Sequence, residues 1–243
     1  MGHRADNRRA DELRPVGFSL GYLKTAPGSV LISMGETRVL CAAMVEERVP
    51  PFLVGSGKGW LTAEYSMLPG SSTQRVARES STGRVNSRNR EIQRLIGRSL
   101  RSVVDLNKIG ERTIYVDCDV IQADGGTRTA SVTGGYLALV EAVRALLKDG
   151  SLSEDPVIEA AAAISVGIVD GEVLLDLCYS EDSRAATDMN VVMTAGGGFV
   201  EIQGTAEDTP FSRKQVDAML DLATAGIKQL VEAQQTALQT LPD

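Results

Sequence analysis

Gln122-Ala123-Asp124-Gly125-Gly126-Thr127-Arg128-Thr129-Ala130-Ser131 joins two stretches of different period, and the fold is read outward from it. Upstream, Ile114, Val116, Cys118 and Val120 alternate with Tyr115, Asp117 and Asp119, the period of two of a half-buried strand. Downstream, Val132, Leu137, Val140, Val143, Leu146 and Leu147 recur at helical spacing, and Lys148-Asp149-Gly150 supplies a basic last turn and a glycine stop. Gly126 to Arg128 therefore fall at a helix N-terminus. Such an end presents unpaired N–H groups and a partial positive charge, and glycines beside it let an anion approach the backbone. Arg128 adds a forked cation. The same residues also allow a plainer reading, a tight turn at Gly125-Gly126 with Thr127 or Thr129 capping the helix.

At 243 residues, 43% hydrophobic and 23% charged, the chain can bury a substantial core. Neither a repeat nor a linker interrupts it, so residues 1–243 are expected to form one domain. No stretch reads as long and apolar enough to span a bilayer, and the first fifteen residues contain no apolar signal core. The expected location is the cytoplasm, with no membrane partner. Cys41, Cys118 and Cys178 are far apart and the sole histidine is His3. That pattern excludes zinc spacing and a histidine base, which leaves acid–base and metal work to carboxylates. Net charge is −7, yet residues 75–101 hold eight arginines against Glu79 and Glu91, a local +6 that leaves −13 for the remainder. A focused basic patch on an acidic body suits a channel for an anionic chain.

Residues 4–15, with Arg4, Arg8, Arg9 and Arg14, read as a basic arm standing off the fold; residues 239–243 read as a tail. Strands are expected at 16–24, 28–34, 37–46 and 60–67, with Met34-Gly35-Glu36 as a hairpin turn. Residues 68–87 read as a long mobile loop, and a helix follows in which Ile92, Leu95, Ile96, Leu100, Val103 and Val104 share one face. Arg90, Arg94, Arg98 and Arg101 lie opposite, a solvated stripe or a subunit contact. Arg75, Arg78, Arg84 and Arg88 are assigned to phosphate contact. Asp170-Gly171 marks a hairpin between 162–169 and 172–178, and Gly196 to Gly198 another between 188–194 and 199–204. A capping box at Ser212 to Gln215 starts the last helix. The order of elements is α+β.

Glu181, Asp182 and Asp188 cluster in what reads as an exposed connection between these hairpins, where carboxylates can take a hard cation such as Mg²⁺ or simply be solvated. Taken in order, LTAEYSMLP, REIQRLIGRSLR, DCDVIQADGGTRTASVTGG, YSEDSRAATDMNVVMT and EIQGTAEDTPFSRKQ resemble the ribonuclease PH family of phosphate-dependent 3′→5′ exoribonucleases. The resemblance runs from about Arg14 to the last helix.

It implies the ribonuclease PH fold, with duplicated βαβα-type halves similar to a domain of ribosomal protein S5, and a homo-hexameric ring built as a trimer of dimers. It implies trimming of tRNA precursor 3′ ends, with inorganic phosphate as co-substrate and Mg²⁺ as cofactor. Carried over by position, the phosphate site falls on Gly126, Thr127, Arg128 and Arg88. The catalytic and metal-holding pair falls on Asp182 and Asp188, and the RNA-guiding arginines fall on Arg75 and Arg78, with Arg84 in the least regular stretch. Two other readings compete. A catalytically silent RNA-binding ring subunit would lack one or more of Arg128, Asp182 and Asp188, and all three are present. A nucleotide-binding enzyme would carry GxxxxGK[ST], which is absent.

Overall fold

Short-range turn chemistry decides the hairpins. In the computed structural model, which describes residue 4 and residues 6–83, 86–207 and 209–240, β1 (Val16–Leu20), β2 (Gly28–Met34), β3 (Thr37–Glu46) and β4 (Trp60–Met67) open the chain. Then follow α1 (Glu79–Thr82), α2 (Ser87–Arg101), α3 (Leu106–Ile109), β5 (Thr113–Gln122) and α4 (Thr127–Lys148). The second half is β6 (Ala161–Val169), β7 (Glu172–Leu175), α5 (Tyr179–Asp182), β8 (Thr187–Thr194), β9 (Phe199–Ala206) and α6 (Arg213–Leu238). Asp170 and Gly171 both take positive φ, 52° and 80°, as a two-residue hairpin loop twisted with its strands requires. Val169 therefore faces Glu172 across it.

One sheet has the order β1-β2-β3-β5-β4 and the other β7-β6-β8-β9. All neighbours are antiparallel except β4 and β5, which α2 and α3 connect as a crossover. Helix α4 packs against β2, β3 and β5 on one side and against β6 and α6 on the other, while α6 covers β6 and β7. The approach is close: a side chain at Gly28 would strike the Ala138 carbonyl and the Ala142 amide of α4. Val30, Ile114, Leu137, Ile164, Val191 and Leu230 belong to one hydrophobic core shared by both sheets.

Several expectations need correcting. Thr127–Lys148 is long and apolar enough to cross a membrane by composition. From Thr127 to Val143 it is buried inside the protein except at Arg128, so its apolarity reflects a helix enclosed on all sides. The long loop at 68–87 contains the α1 turn and ends where α2 begins, with the Glu79 carboxylate accepting from the Asn86 amide and the Asn89 side chain. Arg98 pairs with Glu201 at 2.7 Å, and Arg101 lies 4.7 Å over the Trp60 ring while donating to the Leu61 carbonyl. These two arginines therefore bind their own chain. Arg90 and Arg94 remain exposed.

The largest correction concerns residues 4–15. They do not stand off the fold: Arg4 and Arg14 are only 5% and 3% exposed, Leu13 packs on the core, and the Ala10 carbonyl accepts from the Leu175 amide at the end of β7. A guanidinium so buried requires carboxylates, and these come from the far half of the chain.

Candidate active site

The chain leaves β5 at Gln122 and turns through Gly125 and Gly126, with φ of 75° and 65°. Only glycine fits at 125. A Cβ there would lie 2.5 Å from the Leu177 carbonyl oxygen, so the turn packs against the backbone entering α5. No side chain caps α4. Thr127 shares a 2.8 Å hydrogen bond with the Tyr65 hydroxyl, and Thr129 donates back to the Gly126 carbonyl at 2.9 Å. Neither threonine takes up the first N–H groups, which removes the plain capping reading. These donors border a cleft of about 400 Å³.

Into that cleft the two halves bring Arg88, Gly126, Thr127, Arg128, Asp182 and Asp188, beside Gln74, Val76, Ser165, Tyr179 and Asn190. Arg88 lies in the first turn of α2 and is exposed. Arg128 donates to Glu91 at 3.1 Å and to the Gln203 side-chain oxygen, and Gln203 also donates to Glu91 at 2.8 Å. That trio ties α4 to α2 and β9 and holds the guanidinium in place. Burial pushes the Tyr65 hydroxyl pKa up, while its bond to Thr127 and the charges of Arg88 and Arg128 pull against that rise. The buried Tyr65–Thr127 hydrogen bond thus lies within the field of both cations.

Asp182 ends α5, and Asp188 stands in β8 opposite Gly167, two residues before Asn190 on the same strand face. Although Asp182 is solvent-accessible as a residue, partial desolvation of its carboxyl and the like charge of Asp188 raise its pKa. Arg88, Arg128 and Arg14 offset part of that rise. The expected cluster of three carboxylates is divided. Glu181 is fully buried and pairs with Arg4, whereas Asp182 and Asp188 line the cleft, Asp188 from the start of β8 as the strand expected at 188–194 places it. Among the described residues no group of three His, Cys, Asp or Glu is arranged for a metal.

Behind the cleft lies a cluster that the sequence reading missed. Arg4 grips Glu181 through two 2.7 Å bonds, and Arg14 gives its backbone N–H, Nε and Nη2 to Asp176 at 2.8, 3.0 and 2.7 Å. Arg8 donates to the Asp176 carbonyl at 3.1 Å. Burial alone would lower the Arg14 pKa and raise that of Glu181; the carboxylate and guanidinium partners reverse both. Asp176 holds φ of 54°, an uncommon left-handed conformation for a residue with a side chain. The one sequence signal was charge: four arginines in a short segment otherwise poor in apolar residues.

Arg75 and Arg78 are exposed at the rim, on the segment whose Gln74 and Val76 line the cleft. Arg84 lies outside the described residues.

Residues 12–145 match the first domain of the 3′ exoribonuclease family and residues 145–226 its second domain. Ribonuclease PH of Bacillus pumilus is 58% identical over 232 residues, covering 95% of this chain and 96% of that protein. Ribonuclease PH of Bacillus subtilis is 56% identical over 242 residues, 99% of each. Among solved structures, rice Rrp46 superposes with a TM-score of 0.78 at 22% identity, covering 97% of this chain and all of that one. The Archaeoglobus fulgidus exosome with RNA bound to its active site gives 0.80 at 23% identity, over 95% of this chain and 92% of that one; both likenesses concern the fold. With the Gly126 to Arg128 turn and the aspartate pair on one cleft, and a match spanning both halves, the chain belongs to the ribonuclease PH family of 3′ exoribonucleases.

Proposed function

We propose that the cleft carries out phosphorolysis with a division of labour between its two walls. As a member of this family the chain is a phosphate-dependent 3′→5′ exoribonuclease acting on tRNA precursors. An oxygen of inorganic phosphate attacks the phosphorus of the last internucleotide linkage and the P–O3′ bond breaks. A nucleoside 5′-diphosphate leaves, and the shortened RNA ends in a new 3′-hydroxyl. Two anions must meet for this. Arg88, Arg128 and the uncapped start of α4 offset their repulsion and orient the nucleophile. The observation that carries the assignment is the facing of that uncapped helix end and the Asp182–Asp188 pair across one cleft.

Asp182 and Asp188 suit Mg²⁺, which commonly takes one or two carboxylates and completes its shell with water and substrate phosphate, so a third protein ligand is not needed. When bound there, the ion would neutralise charge on the phosphoryl oxygens. Alternatively, one of the two aspartates serves as general acid instead of metal ligand and delivers the proton that the departing 3′-oxygen requires. Arg75 and Arg78, with Arg84, guide the RNA backbone toward the cleft. We further read residues 1–243 as one folding unit, supported by the core common to both sheets, working in the cytoplasm as a hexameric ring, a trimer of dimers.

Incubating a 3′-tailed RNA with and without phosphate tests the chemistry. Nucleoside diphosphates released only with phosphate are expected; nucleoside monophosphates would refute it. Sedimentation at a mass of six chains checks the ring.

A further inference from the structure

Arg14 is buried and does not line the cleft, and yet its guanidinium touches the turn that begins the anion site. Its Nη1 donates to the Asp124 carbonyl and lies 3.5 Å from Thr37 Oγ1, and its Nη2 lies 3.4 Å from the Gly125 carbonyl oxygen. Thr37 Oγ1 donates to the same Gly125 carbonyl at 2.7 Å and accepts from the Asp124 amide at 3.0 Å. A Cβ on Gly126 would stand 3.1 Å from Arg14 Nη2, so the turn rests on the guanidinium.

We infer that Arg14 is a positioning residue for the phosphate nucleophile, acting through the two peptide planes of Asp124-Gly125 and Gly125-Gly126. A trans peptide is rigid and its N–H points opposite to its C=O. Drawing the Asp124 and Gly125 carbonyls inward to Arg14 and Thr37 turns the N–H groups of Gly125 and Gly126 away from them. Neither N–H finds an acceptor among the described residues, and both glycines border the cleft. Adjacent N–H groups presented by a turn form a concavity for anions. Arg14 is itself fixed by Asp176, whose amide donates to the Ser165 carbonyl of β6 at 2.7 Å. The second half of the chain thereby sets the geometry of a turn in the first.

This rests on the reading that Gly126, Thr127 and Arg128 take phosphate, and the test separates the two. Initial rates are measured against phosphate concentration at saturating RNA for the parent chain, Arg14→Lys, Thr37→Val and Arg128→Lys. RNA affinity in phosphate-free buffer and the thermal midpoint accompany each. Arg14→Lys keeps the charge and loses the fork, whereas Thr37→Val keeps Arg14 and removes the second hold on the same carbonyl. Both are expected to raise the phosphate concentration for half-maximal rate on the order of tenfold, with RNA affinity unchanged. Should Arg14→Lys fail to fold, Thr37→Val decides by the same measure. A lower thermal midpoint with unaltered phosphate dependence, or a rate lowered equally at all phosphate concentrations, would overturn the inference. If Arg128→Lys shifts the phosphate dependence and the other two do not, positioning by Arg14 fails alone. If Arg128→Lys does not shift it either, the phosphate site itself is misplaced.

Discussion

Two arginine-rich segments that look alike in the sequence have opposite fates in the fold. Arg4, Arg8 and Arg14 are sunk against Asp176 and Glu181, with side chains 3–7% exposed. Arg75, Arg78, Arg88, Arg90 and Arg94 are exposed and make no salt bridge to a described residue. Burial of a guanidinium depends on a carboxylate within reach, and that partner is remote in sequence. One segment uses its charge to fasten the residues behind the cleft; the other leaves its charge open at the cleft's rim.

The contrast is broken most severely at Arg4. Arg4→Ala strips the bidentate partner from a buried Glu181, and losing one member of such a pair costs about 3–5 kcal/mol of stability, read as a lower denaturant midpoint at unchanged slope. A midpoint as little moved as that of Arg78→Ala would erase the distinction between the two segments. Next in size is Asp188→Asn, which keeps shape and removes charge where neither segment supplies a partner. Turnover should fall at least about a hundredfold while RNA affinity, measured by filter binding, changes little. Near-normal turnover across a Mg²⁺ titration would remove the metal role. The smallest effect belongs to the open segment. Arg75→Ala with Arg78→Ala should weaken binding to every RNA sequence alike and reduce the slope of log affinity against log salt by roughly one unit per lost phosphate contact. Stability should stay within about 0.5 kcal/mol.

What the sequence made legible was local. Asp170-Gly171 announces its hairpin through backbone conformation, and the change of period across Gly125-Gly126 places the start of α4; both need only neighbouring residues. The resemblance named Arg88, Gly126 to Arg128, Asp182 and Asp188 together, and the fold brings them to one cleft. Glu181 was misplaced because its role depends on Arg4, 177 positions away, and no periodicity encodes such a pairing. Gln203 and Glu91 as holders of Arg128 were missed for the same reason. Capping by Thr127 or Thr129 stayed open as the plainer reading because cap chemistry is a short-range rule, whereas Tyr65, which shares the Thr127 hydroxyl's hydrogen bond, comes from β4. Helix α4 is apolar enough to pass as a membrane span by composition, yet it also carries Thr129, Ser131, Thr133 and Glu141, and the fold buries them all.

The span of the N-terminal pairs also orders events during synthesis. Arg14 meets Asp176 across 162 positions and Arg4 meets Glu181 across 177. A ribosome adding about 5–20 residues per second needs roughly 8–35 seconds to make the second partner after the first. Until then the first sheet and α4 can assemble, but the Gly125 turn lacks the anchored guanidinium beneath it, and α5 and β8 do not yet exist. An emerging chain therefore lacks both the anchored guanidinium and the Asp182–Asp188 pair through most of its elongation, and the cleft is completed only as one of the last steps of its vectorial folding.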